Sequence, residues 1–153
     1  TIVNSLLVRG SALEPRGVPD GETPLMIATT HADFDIVRIL LDKGANVNSR
    51  DADGESSLLK AARPAYGKIG LLLLSRGANP DVANLRGDTP LMMAAAVGSL
   101  GLIKALVTHG AQITRTNSQG QDALKLAAIY KRPLATQLIR ELQASRSEAP
   151  QAH

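Results

Sequence analysis

A chain of 153 residues is long enough for one domain with a real core, and with aromatic residues at only 2% that core has to be filled by Leu, Ile, Val and Ala, a palette suited to packed helices. No apolar run approaches the roughly 18 to 20 residues of a membrane span, and the absence of cysteine removes disulfides, thiolate metal sites and cysteine nucleophiles together. The net charge of +3 conceals a polarity: residues 1–55 carry five basic and nine acidic side chains, residues 56–153 twelve and five.

The chain opens at Thr1, not Met, from which an upstream segment is expected, lost as a leader, at a chosen boundary or by proteolysis. Residues 1–17 carry Ile2, Val3, Leu6, Leu7 and Gly10, the pattern of a second helix whose first helix lies upstream or is missing. Residues 18–50 form a full unit. Thr23 offers a capping hydroxyl, Pro24 sits at the first helical position where a missing N–H costs nothing, and the small Ala28 lets a second helix approach closely. That helix is apolar at Ile36, Val37, Ile39, Leu40 and Leu41 and ends at Gly44, a residue free to turn left-handed.

Residues 51–83 repeat the plan with Ser56-Ser57 in place of Thr-Pro, then Ala61-Ala62, the stripe Ile69, Leu72, Leu73 and Leu74, and Gly77. Gly70 falls where Val37 and Ile103 stand in the flanking units, at about 1 kcal/mol against a better helix former, so this unit is expected to be the loosest full one. Residues 84–116 run from Thr89-Pro90 through Ala94-Ala95 to Gly110. In 117–144, Asp122-Ala123 replaces Thr-Pro, Arg140 enters the Leu-Leu position and Gln143 stands where the glycine should be, as suits a polar C-terminal cap. Residues 145–153 read as a disordered polar tail.

Two glycine combs run in phase through these units. Gly10, Gly44, Gly77 and Gly110 recur at 34, 33 and 33 residues, and Gly21, Gly54, Gly87 and Gly120 at 33, each of the latter followed four residues on by Leu25, Leu58, Leu91 or Leu124. The polar residues around the second comb are expected to project as a turn or hairpin. Helix pairs this short cannot bury an apolar face alone, so neighbours must stack into a continuous core.

Helix, turn, helix and hairpin at a period of 33, carried by GDTPLMMAA (87–95) and ILLDKGANVN (39–48), resemble the ankyrin repeat over nearly the whole chain. The resemblance implies an all-α ankyrin-repeat solenoid of stacked helix-turn-helix units with projecting β-hairpin or turn loops, acting as a protein-binding module and not as an enzyme.

Candidates for chemistry are few. His31, His109 and His153 have no second His at metal-ligand helical spacing, and solvent-facing positions explain them better. The glycine pairs in Gly67-Lys68-Ile69-Gly70 and Gly98-Ser99-Leu100-Gly101 lack the spacing of a phosphate loop. Neither a Gly-x-Ser-x-Gly elbow nor a Ser, His and Asp triad is suggested, so no catalytic, cofactor or metal residue is expected. The basic residues of the second half are scattered over repeat positions, with only Tyr66 and Tyr130 to stack on bases, which argues against a nucleic-acid partner.

In ankyrin proteins the partner meets the hairpin tips and the exposed side of each first helix, which line a concave face. By that resemblance the contact residues are Asp20, Glu22, Thr30, His31 and Lys43 in the first full repeat, and Asp53, Glu55, Arg63 and Arg76 in the second. The third supplies Leu85, Arg86, Asp88, Val97 and His109, and the last Ser118, Gln119, Gln121, Ile129 and Tyr130. Leu85, Val97, Ile129 and Tyr130 would form an apolar anchor ringed by Arg86, Asp88 and Arg63, unless Ile129 and Tyr130 merely finish the capping repeat. The partner is expected to be another protein, bound by a chain that is monomeric on its own, either as an adaptor or as an inhibitor that occludes the partner's active site. Eleven Arg against six Lys point to a GC-rich bacterial source. The cytoplasm is the favoured compartment, with the periplasm or exterior following if a leader was cleaved.

Overall fold

The computed structural model describes residues 21–63 and 66–148. The half unit expected over 1–17 lies outside the described residues, as do 149–153 of the expected tail. Among the described residues eight helices form four pairs: α1 Pro24–Thr30 with α2 Phe34–Asp42, α3 Ser57–Ala62 with α4 Gly67–Ser75, α5 Pro90–Val97 with α6 Leu100–Thr108, and α7 Ala123–Ile129 with α8 Pro133–Glu148. The first helices α1, α3, α5 and α7 stack in one layer and the second helices α2, α4, α6 and α8 in another. No described helix is long and apolar enough to cross a membrane.

Each inner helix starts on a side-chain cap at one repeat position. Thr23 Oγ1 accepts from Met26 N at 3.3 Å, Ser56 Oγ from Leu59 N at 3.2 Å, Thr89 Oγ1 from Met92 N at 3.3 Å and Asp122 Oδ1 from Lys125 N at 2.8 Å. Ser56 and Asp122 therefore satisfy the orphan N–H as threonine does, and the second and last repeats lose only the proline. Leu25, Leu58 and Leu91 are fully buried one period apart, as are Leu40, Leu73, Leu106 and Ile139 in the outer layer, with Ala61, Ala94 and Ala127 keeping the layers close. One hydrophobic core runs through all four pairs. Gly70 lies in it, and a Cβ there would sit 2.8 Å from Leu102 Cδ1, so the residue read as a weakness admits a leucine from α6.

The loops between repeats are tight projecting turns, called fingers below, and no strand occurs among the described residues. Each is closed by two backbone bonds, Asp51 N to Glu55 O and Gly54 N to Asp51 O in the first, and Asn84 N to Asp88 O and Gly87 N to Asn84 O in the second. Such a closure is too short for a β ladder, which is why the turn form holds and the hairpin form does not. An Asp or Asn heads each of the three fingers at 51, 84 and 117. Its Oδ1 accepts the N–H groups two and four residues on, from Asp53 and Glu55 to Asp51, Arg86 and Asp88 to Asn84, and Gln119 and Gln121 to Asn117, all at 2.9 to 3.0 Å. Consecutive fingers are tied by single backbone bonds, Leu85 N to Asp53 O at 3.0 Å and Ser118 N to Arg86 O at 2.9 Å. Gly87 is required there twice over, because its φ is +80 and a Cβ would lie 3.1 Å from Asn117 Cα.

The tail expected from residue 145 is corrected in part, since α8 continues to Glu148. Arg146 explains the extension: its guanidinium donates to Val107 O at 2.9 Å in the last turn of α6 and to Ala111 O at 3.0 Å just beyond it. Leu138, Ile139 and Leu142 hold the same helix on the core.

Candidate functional site

The fingers and inner helices share one face, and its polar residues form a connected row. At the second repeat Lys60 lies among three carboxylates, with Nζ 2.8 Å from Glu22 Oε1, 2.9 Å from Asp51 Oδ2 and 3.7 Å from Glu55 Oε2. Glu55 also binds Arg63. Burial works to lower the Lys60 pKa, but the hydrogen bonds it donates to Glu22 and Asp51 outweigh it and hold the ammonium above the ordinary lysine value. Burial likewise works to raise Asp51, and Lys60 together with the Glu55 and Asp53 N–H groups reverses that and lowers it. The hydrogen bond to Glu55 raises Arg63. Glu22 and Glu55 are thus engaged within the protein, and Glu55 is buried.

At the next repeat the row continues with asparagine amides in place of the lysine. Asp88 is buried and its carboxylate receives Asn117 Nδ2 at 2.9 Å and Asn84 Nδ2 at 3.4 Å. Met93 stands at the position of Lys60, one period later. No buried side-chain polar atom among the described residues lacks a partner, so the row is a satisfied network and not a set of poised groups.

Beyond it the third and fourth repeats enclose a groove of about 480 Å³. Met93, Ala96, Val97 and Leu126 supply its apolar wall, Tyr130 closes one side, and the fingers contribute Arg86, Ser118 and Gln119. Asp88, Asn117, Gln121, Arg63 and Arg132 complete its lining. Of the residues expected to bind, Arg63, Arg86, Asp88, Val97, Ser118, Gln119, Gln121 and Tyr130 meet here.

The expected apolar anchor is not assembled as drawn. Leu85 and Ile129 do not line the groove, although both are exposed, at 76% and 55%. Leu85 is on the tip itself, fixed by its N–H to Asp53. Ile129 occupies the position of Arg63 and Ala96, but no described repeat follows to close a groove over it. Asp53 is an exposed tip residue, and Asp20 lies outside the described residues. His31 Nδ1 donates to Ile27 O at 2.8 Å, ending its own inner helix. His109 Nδ1 does the same to Ala105 O at 2.8 Å, but at the end of α6 in the outer layer, because it belongs to the second helix of its repeat.

Sequence reading missed Lys60, Asp51, Met93 and Arg132. An Asp, Asn and Asn recurring at 51, 84 and 117 was the available signal for the finger heads. Arg132 had none, since it reaches back 36 residues to donate Nε to Ala96 O at 3.0 Å. Among the described residues no group of three or more His, Asp or Glu side chains is placed to hold a metal ion.

The family model for ankyrin repeats (3 copies) matches residues 1–84 and again 61–146. No curated protein matches the chain. Two overlapping matches spanning nearly all of the sequence agree with the stacked pairs and tied fingers: the chain belongs to the ankyrin-repeat family, whose members are generally protein–protein interaction modules.

Proposed function

We propose that this protein binds a protein partner on the face shared by its fingers and inner helices, with the groove of the third and fourth repeats as the principal contact. The groove carries this reading: about 480 Å³ with an apolar wall and a polar rim, on a scaffold whose fingers are locked to one another. An anchor side chain entering it would be desolvated by Met93, Val97, Leu126 and Tyr130 and oriented by the rim, the usual anatomy of an interface hot spot. Leu85 offers a second, separate contact on the tip. A rigid binding surface loses little freedom on association, which favours affinity.

The test is affinity capture of the partner from source lysate, followed by titration of the purified pair. Tyr130→Ala is expected to weaken binding about tenfold or more while leaving the melting curve unchanged. Unchanged affinity in both Tyr130→Ala and Leu85→Ala would refute the assignment of this face. Loss of the partner's own activity in the complex would make the protein an inhibitor, and simultaneous capture of two partners an adaptor.

A further inference from the structure

The groove has an unbalanced charge. Three arginines, Arg63, Arg86 and Arg132, border it against one carboxylate, Asp88. The four are not equally available. Arg63 is neutralised by Glu55, and Asp88 is buried beneath two asparagine amides. Arg86 is 74% exposed and meets Asp88 only at 3.6 Å. Arg132 binds a neutral carbonyl, that of Ala96, and forms no ion pair among the described residues. The positive charges of Arg86 and Arg132 therefore stand largely uncompensated in a groove whose other polar lining residues, Asn117, Ser118, Gln119 and Gln121, are neutral. Twelve basic against five acidic residues in the second half of the chain add a field of the same sign.

We infer that the occupant of this groove is an acidic peptide segment of the partner, placing an Asp or Glu carboxylate between Arg86 and Arg132 and an adjacent apolar side chain on Met93 and Val97. This rests on the groove being the partner site. A guanidinium is the side chain best matched to a carboxylate, and a pair of them leaves a cationic or neutral segment with unsatisfied charge at the same place. Arg132 is steered by its neighbour: it crosses Gly98, where an added Cβ would stand 3.1 Å from Arg132 Cδ.

Phage-displayed random dodecapeptides selected on the intact chain test this, with selected peptides then titrated by fluorescence anisotropy. The expected result is enrichment of Asp and Glu, binding that weakens about tenfold or more in Arg86→Glu and in Tyr130→Ala, and binding that falls with added salt. Repeating the selection on the double variant Arg86→Glu, Arg132→Glu should enrich Lys and Arg instead. Arg86→Glu alone suffices if the double variant melts early, because Arg86 is so exposed. Peptides that need Tyr130 yet are neutral or basic overturn the acidic assignment and leave the groove as the binding site. Peptides indifferent to Tyr130, or no selected peptide at all, overturn both. A concentration-dependent dimer lost in Arg86→Glu would put a second copy of the chain in the groove and overturn the assignment too.

Discussion

Lys60 and Asp51 occupy the positions that Met93 and Asn84 hold one repeat later, so two substitutions convert one polar arrangement into the other. Lys60→Met alone keeps the volume and removes the cation from among Glu22, Asp51 and Glu55. Asp51 is 5% exposed and Lys60 13%, close to the case where deleting one partner of a buried pair costs ~3–5 kcal/mol, but Glu22 at 37% can return to water. We expect a loss of about 2–3 kcal/mol. Asp51→Asn alone keeps the Oδ1 acceptor for the two finger N–H groups but turns an amide N–H toward the ammonium, at about 1 kcal/mol. In the double variant that amide is free to donate to Glu55, as Asn84 Nδ2 donates to Asp88 at 3.4 Å, and the cost should fall to about 1 kcal/mol.

Urea unfolding of the four proteins gives the coupling, expected near 2 kcal/mol. Its pH dependence is set by sign. Asp51, lowered from 3.8, stabilises the fold above that value and loses its contribution as pH falls through the lower folded value. Lys60, raised from 10.5, stabilises the fold below that value and loses its contribution as pH rises through the higher folded one. The effect of Lys60→Met should thus be flat between these limits and shrink in acid. Additive single effects at pH 7, or an undiminished loss near pH 2, would refute the account.

Gly87→Ala should cost about 2 kcal/mol or more in the same assay, from the left-handed backbone and the 3.1 Å approach of Asn117 Cα together. Arg146→Ala should remove two capping bonds at about 1 kcal/mol each and speed amide exchange in residues 143–148, leaving exchange in α5 unaltered.

The repeat was legible because its markers are local. A glycine in phase every 33 residues, a hydroxyl before a helix and an alanine between layers each act within a few residues, and among the described residues Gly44, Gly77 and Gly110, Thr23, Ser56 and Thr89, and Ala28, Ala61, Ala94 and Ala127 have the expected roles. What escaped acts across repeats. Lys60 is read as a solvated charge until Glu22, 38 residues earlier, is placed beside it. Arg146 sits in a segment whose polarity reads as fraying, and only carbonyls 35 and 39 residues back make it a cap. The groove was half legible for the same reason. Face could be assigned from register, which brought Val97 and Tyr130 together. The neighbour across the groove could not, and Leu85 and Ile129 were placed in a cluster they do not join.

Arg140 gives the array a direction of growth. It is exposed at the end of the stack, in the position where Leu41, Leu74 and Val107 are buried against the next unit. Stacking another repeat onto α7 and α8 would press a guanidinium into an apolar seam, whereas a duplicated unit inserted between the second and third pairs would find leucine on one side and Leu102 on the other, with a finger ready to tie at each end. Among the described pairs the fourth is therefore the one least suited to receive a further repeat, and an added unit fits better inside the array.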